Sequence, residues 1–448
     1  MSSKHIHLGL LAQPYGDHMS AWLNSSAPAG GATNIGYLKQ LARTAEQGLF
    51  DLFFIADTPA TRTDNLPIHS RSPNYMNRLE PITQLTAIAG ATQHIGLGAT
   101  ASTSFYEPYN IARLFASLDL ISEGRAAWNI VTSANDYAAR NFGLDRLPPH
   151  DKRYARAKEF YSIVASLWDT WDDDAFIYDR EQYRYFDPEK YHTTDFTGEF
   201  FKIFGGLNIQ RSPQGHPVII QAGSSEAGKT LAAETAEVVF ASDPTLDAGQ
   251  RFYADLKGRM SGFGRHPDEL KILAGLSVVT GESVWEAQDK FQQLQNMIHP
   301  EVGKMMLSAD LETDLSGLPL DEPVPIELIP EKANFHQAYF NQLSAMIREQ
   351  KLTLRQLYSS YERGKVSLCG TPAMIADHMT EWMEAGAADG FMLSFHTLPD
   401  DLQDFVRQVV PELQARGLYR TDYQGQTLRD HLGLSRPVNR HTAGSSER

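Results

Sequence analysis

Several side chains have the types and spacing to do chemistry. Gln221-Ala222-Gly223-Ser224-Ser225-Glu226-Ala227-Gly228 reads as a strand running through Gly-Ser-Ser into a helix. Free backbone N–H groups at such a helix start, with the hydroxyls of Ser224 and Ser225, would cradle a phosphate. An ordinary serine N-cap has the same signature. His150 and Tyr154 lie four apart at a predicted helix start and share one face. They could donate two hydrogen bonds to one phosphate, or merely cap and pack. Asp57 closes an apolar run, so it sits at a rim or is buried and paired. Asn129, between Trp128 and Ile130, needs partners if buried, which a pyrimidine-like ring edge or the backbone would supply. His18 and His396 are candidate acid/base groups by position, with a structural role as the alternative. No metal site is expected: there is no His-Glu-x-x-His, and Cys369 is the single cysteine. The absence of Gly-x-Ser-x-Gly weakens a serine hydrolase reading.

These residues need elements to hold them. Apolar runs over residues 5–13, 49–57, 95–103, 125–133, 217–223, 238–242, 270–281 and 390–395 read as strands. Runs with helical spacing lie between them, over 33–48, 80–93, 108–122, 151–170, 224–236 and 246–262, with a seventh from near Glu282 and a last over 400–416. Alternating strand and helix requires parallel strands with right-handed crossovers. Eight such units predict an α/β fold, a (β/α)8 TIM barrel, with an open doubly wound sheet as the rival. No Gly-x-Gly-x-x-Gly follows the first strand, which counts against a Rossmann fold.

In a barrel the reacting groups lie at the C-terminal ends of the strands. That places Asp57, Thr100, Asn129, Ser224, Ser225 and His396 at one mouth, with His18 in the first loop. Residues 1–434 read as one barrel with excursions at 171–214 and 295–365, followed by a flexible tail at 435–448. Each excursion is a functional segment, the second a candidate lid, or else a surface ornament or oligomer contact.

The chain has 448 residues, 42% of them hydrophobic, enough for a large core. Its net charge of −15 argues against nucleic acid as a partner and weakly against anionic membranes. No apolar run is long enough to span a bilayer, and no signal peptide is seen, so a cytoplasmic location is expected.

Trp128-Asn129-Ile130-Val131-Thr132-Ser133-Ala134-Asn135 and Ala139-Arg140-Asn141-Phe142-Gly143 resemble the bacterial luciferase superfamily of flavin-dependent monooxygenases. The branch is that of the nitrilotriacetate, EDTA and dibenzothiophene-sulfone monooxygenases. Phe50 to Asp57, His150 to Tyr154, Gln221 to Glu226, Cys369-Gly370-Thr371-Pro372 and Val410 to Tyr419 agree with it, in order along the chain. The resemblance implies a luciferase-like (β/α)8 barrel that binds FMN as FMNH2. A separate NAD(P)H:FMN reductase would supply it, with O2 as co-substrate and a C4a-peroxyflavin as oxidant. It implies oxidation of a small organic substrate at or next to N or S, with C–N or C–S cleavage, in a homodimer or homotetramer. Asp57, Thr100 and Asn129 would lie near the isoalloxazine, and His150, Tyr154, Ser224 and Ser225 at the ribityl phosphate. Ala134 replaces a His of the alkane-oxidising relatives, and Gln13-Pro14 replaces their Cys, which speaks against alkane hydroxylation. Arg62, Arg71 and Arg78 could meet a carboxylated substrate or belong to a solvated loop. Two other readings of the same barrel are a flavin-binding protein without oxygenase activity and an F420-dependent dehydrogenase.

Overall fold

The computed structural model of the protein describes residues 5–73, 76–133, 135–331, 337–361 and 366–442. Its strands are β1 (His7–Leu11), β2 (Leu52–Ile55), β3 (Gly96–Ser102), β4 (Ala126–Val131), β5 (Thr194–Thr197), β6 (Lys202–Gly205), β7 (Val218–Gln221), β8 (Val238–Ala241), β9 (Lys271–Thr280), β10 (Ser367–Gly370) and β11 (Gly390–Phe395). Parallel pairing runs β1, β2, β3, β4, β7, β8, β9, β11 and back to β1. The eight-stranded barrel is therefore closed, and all eight expected strands form its staves. A run such as Leu52-Phe53-Phe54-Ile55 is buried at every position because the barrel interior covers one face and the helices cover the other.

Alternation along each stave separates two cores. Leu52, Phe54, Ala127, Ile220, Leu273 and Met392 point inward and plug the barrel. Phe53, Leu97, Trp128, Leu393 and Phe395 point outward under the helices. Gly9 faces inward, where an added Cβ would fall 2.3 Å from Met392 Cε, so the large Met392 fits only because Gly9 is small. The helices begin where their caps predict. Asn34 accepts from the Tyr37 amide, Glu80 from Ile82 and Thr83, and Thr371 from Met374, with Pro81 and Pro372 in the first turns.

The last helical run differs from expectation: Asp400–Asp404 and Val410–Ala415 flank a π-helical turn over Phe405–Val409. Pro411 explains it, since a proline inside a helix lacks an N–H and crowds the carbonyl four residues back.

The first excursion forms the antiparallel β5–β6 ribbon. Trp171 lies against Phe176, Phe186 and Tyr191 in the same excursion. The second is a helical layer with its own core of Leu307, Leu311, Leu315, Leu343, Leu354 and Leu357. Within it one helix runs over Gln337–Gln350, and residues 332–336 lie outside the described residues. The excursion returns through β10, which sequence alone did not suggest. β10 pairs with the last four residues of β9, beyond the stretch that β8 occupies.

A flexible tail was expected from Ser435, but residues 435–442 are packed against the first excursion. Arg436 pairs with Asp173, and Asn439, 3% exposed, donates to the Trp171 carbonyl at 2.9 Å. Residues 443–448 lie outside the described residues. Just before this segment, Arg429 is buried and binds Glu237, while Leu428 and Leu432 join the inner core. No helix among the described residues is long and apolar enough to cross a membrane.

Candidate active site

The expected residues gather at the C-terminal mouth in three groups. The first lies on neighbouring staves. Thr100, on β3, donates to the Ile55 carbonyl at 2.9 Å and accepts from Asn129 Nδ2 on β4 at 3.0 Å. The register Thr100↔Asn129 sets the two side by side, both inward. Asn129 is 4% exposed, and its Oδ1 has no hydrogen-bond partner among the described residues. A buried amide oxygen without a donor is costly unless a ligand supplies one.

Asp57 is half-buried beyond the end of β2. Burial pushes its carboxyl above the usual range, against the Thr58 amide and Arg78, and the negative charge of Glu80 adds to the rise. The same burial and the charges of Glu80 and Asp57 raise the Tyr106 phenol.

The second group forms between two helix starts. His150 and Tyr154 occupy the first turns of His150–Trp168, with ring centroids 4.7 Å apart. Ser225 caps Glu226–Thr235 by accepting from the Gly228 amide at 3.1 Å. Ser224 is exposed to the mouth. A Cβ built on Gly223 would meet the Tyr154 hydroxyl at 3.2 Å and Gly228 Cα at 3.1 Å. The strand end, the Tyr154 hydroxyl and the helix start thus close on one small space, and Gly at 223 keeps it open. Ser225 is the ordinary cap that the alternative reading foresaw; Tyr154 beside Gly223 is what a lone cap does not need.

The third group is His18 and His396, with ring centroids 6.2 Å apart. His396, 3% exposed, bonds Asp17 Oδ1 through Nδ1 at 3.0 Å. His18 Nε2 meets Gln295 Oε1 at 3.2 Å, at the start of the second excursion. The loop holding Asp17 and His18 extends β11: the Asp17 and His18 amides donate to the carbonyls of Phe395 and His396 at 2.9 and 3.4 Å. Gly16 permits this approach, with φ +116° and only 2.2 Å between a hypothetical Cβ and the His396 carbonyl oxygen.

Asp17, Ser277 and Arg153 were given no site role of their own from sequence, whereas Ser133 was expected at the mouth as the end of the fourth strand. Asp17 and Ser277 are joined to His396 only by the barrel's closure. Ser133 has φ +58°, an uncommon state for a non-glycine residue. Its hydroxyl meets Ser102 Oγ at 2.7 Å, and Arg153 holds its carbonyl. Its place at the end of the fourth strand was the signal for it in the sequence. Arg153, between His150 and Tyr154, therefore ties the end of β4 to the phosphate-sized space.

Of the three loop arginines, Arg62 is paired with Asp64 at 2.8 Å and Arg78 with Gln13 at 2.6 Å. Arg71 lines a largely apolar cavity of about 530 Å³ with Met19, Trp22, Met297 and Ile298. Ala134 lies outside the described residues. Among the described residues, no three His, Cys, Asp or Glu side chains are grouped to hold a metal.

A family model described as Luciferase-like monooxygenase matches residues 17–389. The chain is 46% identical over 447 residues to nitrilotriacetate monooxygenase component A of Aminobacter aminovorans, covering 98% of each. It is 44% identical over 442 residues to N-acetyl-S-(2-succino)cysteine monooxygenase of Bacillus subtilis (strain 168), again covering 98% of each. A solved structure of riboflavin lyase with modified FMN and riboflavin is similar at TM-score 0.80 and 28% identity, over 97% of both chains. The barrel, its C-terminal mouth and these full-length similarities agree with the motif resemblance: the chain belongs to the luciferase-like monooxygenase family and is a flavin-dependent monooxygenase.

Proposed function

We propose that the protein takes reduced FMN from a separate NAD(P)H:FMN reductase and uses O2 to oxidise a small organic substrate at or next to N or S. The observation that carries this reading is the Tyr154 hydroxyl closing with Gly223 and the Ser225-capped helix start on one small space. The orphaned Asn129 Oδ1 lies at the same mouth. The name "component A" of the nitrilotriacetate relative supports a two-component arrangement. The relatives' nitrogen- and sulfur-bearing substrates support the substrate class.

The residues fit the cofactor. Ser224, Ser225, His150 and Tyr154 offer hydroxyl, imidazole and backbone donors to a phosphate. Asn129 Oδ1 offers an acceptor for an N–H on a ring edge, with Thr100 fixing the amide's orientation. Asp57 lies by the same mouth, and its carboxyl, raised by burial, keeps a proton more readily than an ordinary aspartate. Below, Leu52, Phe54, Ile220, Leu273 and Met392 seal the barrel against water from the far end. When bound, reduced FMN supplies two electrons, so that one oxygen atom of O2 enters the substrate and the other leaves as water. His18 and His396 are the side chains we assign to proton handling at the mouth. A cytoplasmic location and a homodimer or homotetramer complete the proposal, with residues 1–434 acting as one flavin-binding unit.

The test is to mix protein with anaerobically reduced FMN and then O2, following flavin absorbance. Oxidised FMN should appear more slowly than from free flavin, and a thioether or tertiary amine substrate should take up one atom of labelled O2. Reoxidation at the free-flavin rate, with all oxygen recovered as peroxide for every substrate tried, overturns the proposal.

A further inference from the structure

The hydrogen bonds around His396 have a direction that the carboxylate of Asp17 imposes. An ionised carboxylate only accepts, so the groups hydrogen-bonded to it here must donate. Asp17 Oδ1 takes the His396 Nδ1–H at 3.0 Å, and Oδ2 takes the Ser277 hydroxyl hydrogen at 3.2 Å. With its hydrogen committed, the Ser277 oxygen accepts from Ser394 at 2.7 Å. Ser394 then has no hydrogen left to give. Leu393 and Phe395 face the helices, and Met392 faces the barrel interior. Strand alternation therefore turns Ser394 inward, one layer above Met392. Ser277 is inward for the same reason, two positions along from Gly275 and four from the inward Leu273.

We propose that Asp17 is the positioning residue of this centre: it holds His396 as the Nδ1–H tautomer and, through Ser277, leaves Ser394 only an acceptor toward the barrel interior. The imidazole then presents Nε2 as its working nitrogen, on the side of Ser367 Oγ at 3.4 Å. Phe291 packs against the ring at 5.0 Å and limits its rotation, so the tautomer is matched by a fixed orientation. Asp17 owes its place to Gly16, which lets the first loop lie along the end of β11. The inference rests on His396 being a working side chain of the proposed oxygenase, but it concerns the flavin-free chain and can fail independently.

The test is [15N]histidine NMR on the full, flavin-free chain at about pH 8, above the ordinary histidine range. The His396 signals are identified by their loss in His396→Gln. Wild type should carry the proton on Nδ1 rather than Nε2 by at least about tenfold, the factor a charge-assisted hydrogen bond supplies. Asp17→Asn, whose amide oxygen can still accept, should keep the Nδ1–H signature. Asp17→Ala should reduce the bias by about the same tenfold. A wild-type spectrum with the proton on Nε2, or an unchanged bias in Asp17→Ala, overturns the proposal. The wild-type reading needs only the assignment variant, His396→Gln, to fold. Titration of the same sample with FMN, read by flavin fluorescence, tests cofactor binding separately.

Discussion

A single atom, Asn129 Oδ1, separates a binding role from a structural one. It is buried and has no partner among the described residues, while the Nδ2 of the same amide is tied to Thr100. Asn129→Leu removes one neutral hydrogen bond, which costs about 1 kcal/mol, and removes an unsatisfied buried oxygen, which relieves about 1–3 kcal/mol. The two terms net a gain of about 0–2 kcal/mol, so we expect unfolding free energy at or above that of wild type. FMN affinity, read by fluorescence quenching, should fall about tenfold or more, because a ring N–H then meets no acceptor. A marked loss of stability with unchanged FMN affinity would make the amide a core residue. The sequence supported the question but not the answer: a polar residue in the middle of Trp128-Asn129-Ile130 had to find partners, and only the register with Thr100 showed which atom lacks one.

At the scale of elements, the loop after β1 decides where two candidate acid/base groups lie. Gly16 sits at φ +116°, with the His396 carbonyl oxygen 2.2 Å from a hypothetical Cβ. Gly16→Ala therefore combines backbone strain with a collision against main chain, which cannot rotate away. We expect a loss of at least about 2 kcal/mol in chemical denaturation. Gly30→Ala, also at positive φ but in open space, should cost about 1 kcal/mol. Equal costs at the two sites would mean that the loop yields and the β11 extension is dispensable.

The same contrast explains what could be read from sequence. The eight staves were legible because each is a continuous apolar run, and their helices because caps and prolines are local signals. β10 was not, since Ser367-Leu368-Cys369-Gly370 becomes a strand only where β9 outruns β8. Nor was the Asp17–His396 pair, which joins residues 379 positions apart once the barrel closes. The π-helical turn before Pro411 was in principle readable, and the docking of residues 435–442 was not, because their partners lie in the first excursion.

For the whole molecule, buried charges set how stability follows pH, and they pull in opposite directions. Arg420 and His7 outweigh burial and hold Asp51 down at about 2, so its contribution is present above about pH 4 and lost as pH falls toward 2. Burial holds His431 down at about 4, so stability is lost as pH falls from the ordinary histidine range to that value. Asp401, at the start of the last helical run, acts the other way. Burial pushes it up to about 6, although the Thr397 amide donates to it at 2.8 Å and His396 lies near. Below about pH 4 both folded and unfolded chains hold its proton, and it makes no difference. Between about 4 and 6 the unfolded chain releases a proton that the folded chain keeps, so the fold loses stability as pH rises. Above that range the loss is complete and constant. Wild-type profiles blend these opposing terms, so the informative quantity is a difference. Asp401→Asn can still accept from the Thr397 amide but never ionises. Its unfolding free energy relative to wild type should rise by up to ~3 kcal/mol between about pH 4 and pH 7. Urea denaturation across that range measures it. A pH-independent difference would mean that Asp401 ionises in the fold as it does in water, and that the helix beneath His396 is open to solvent.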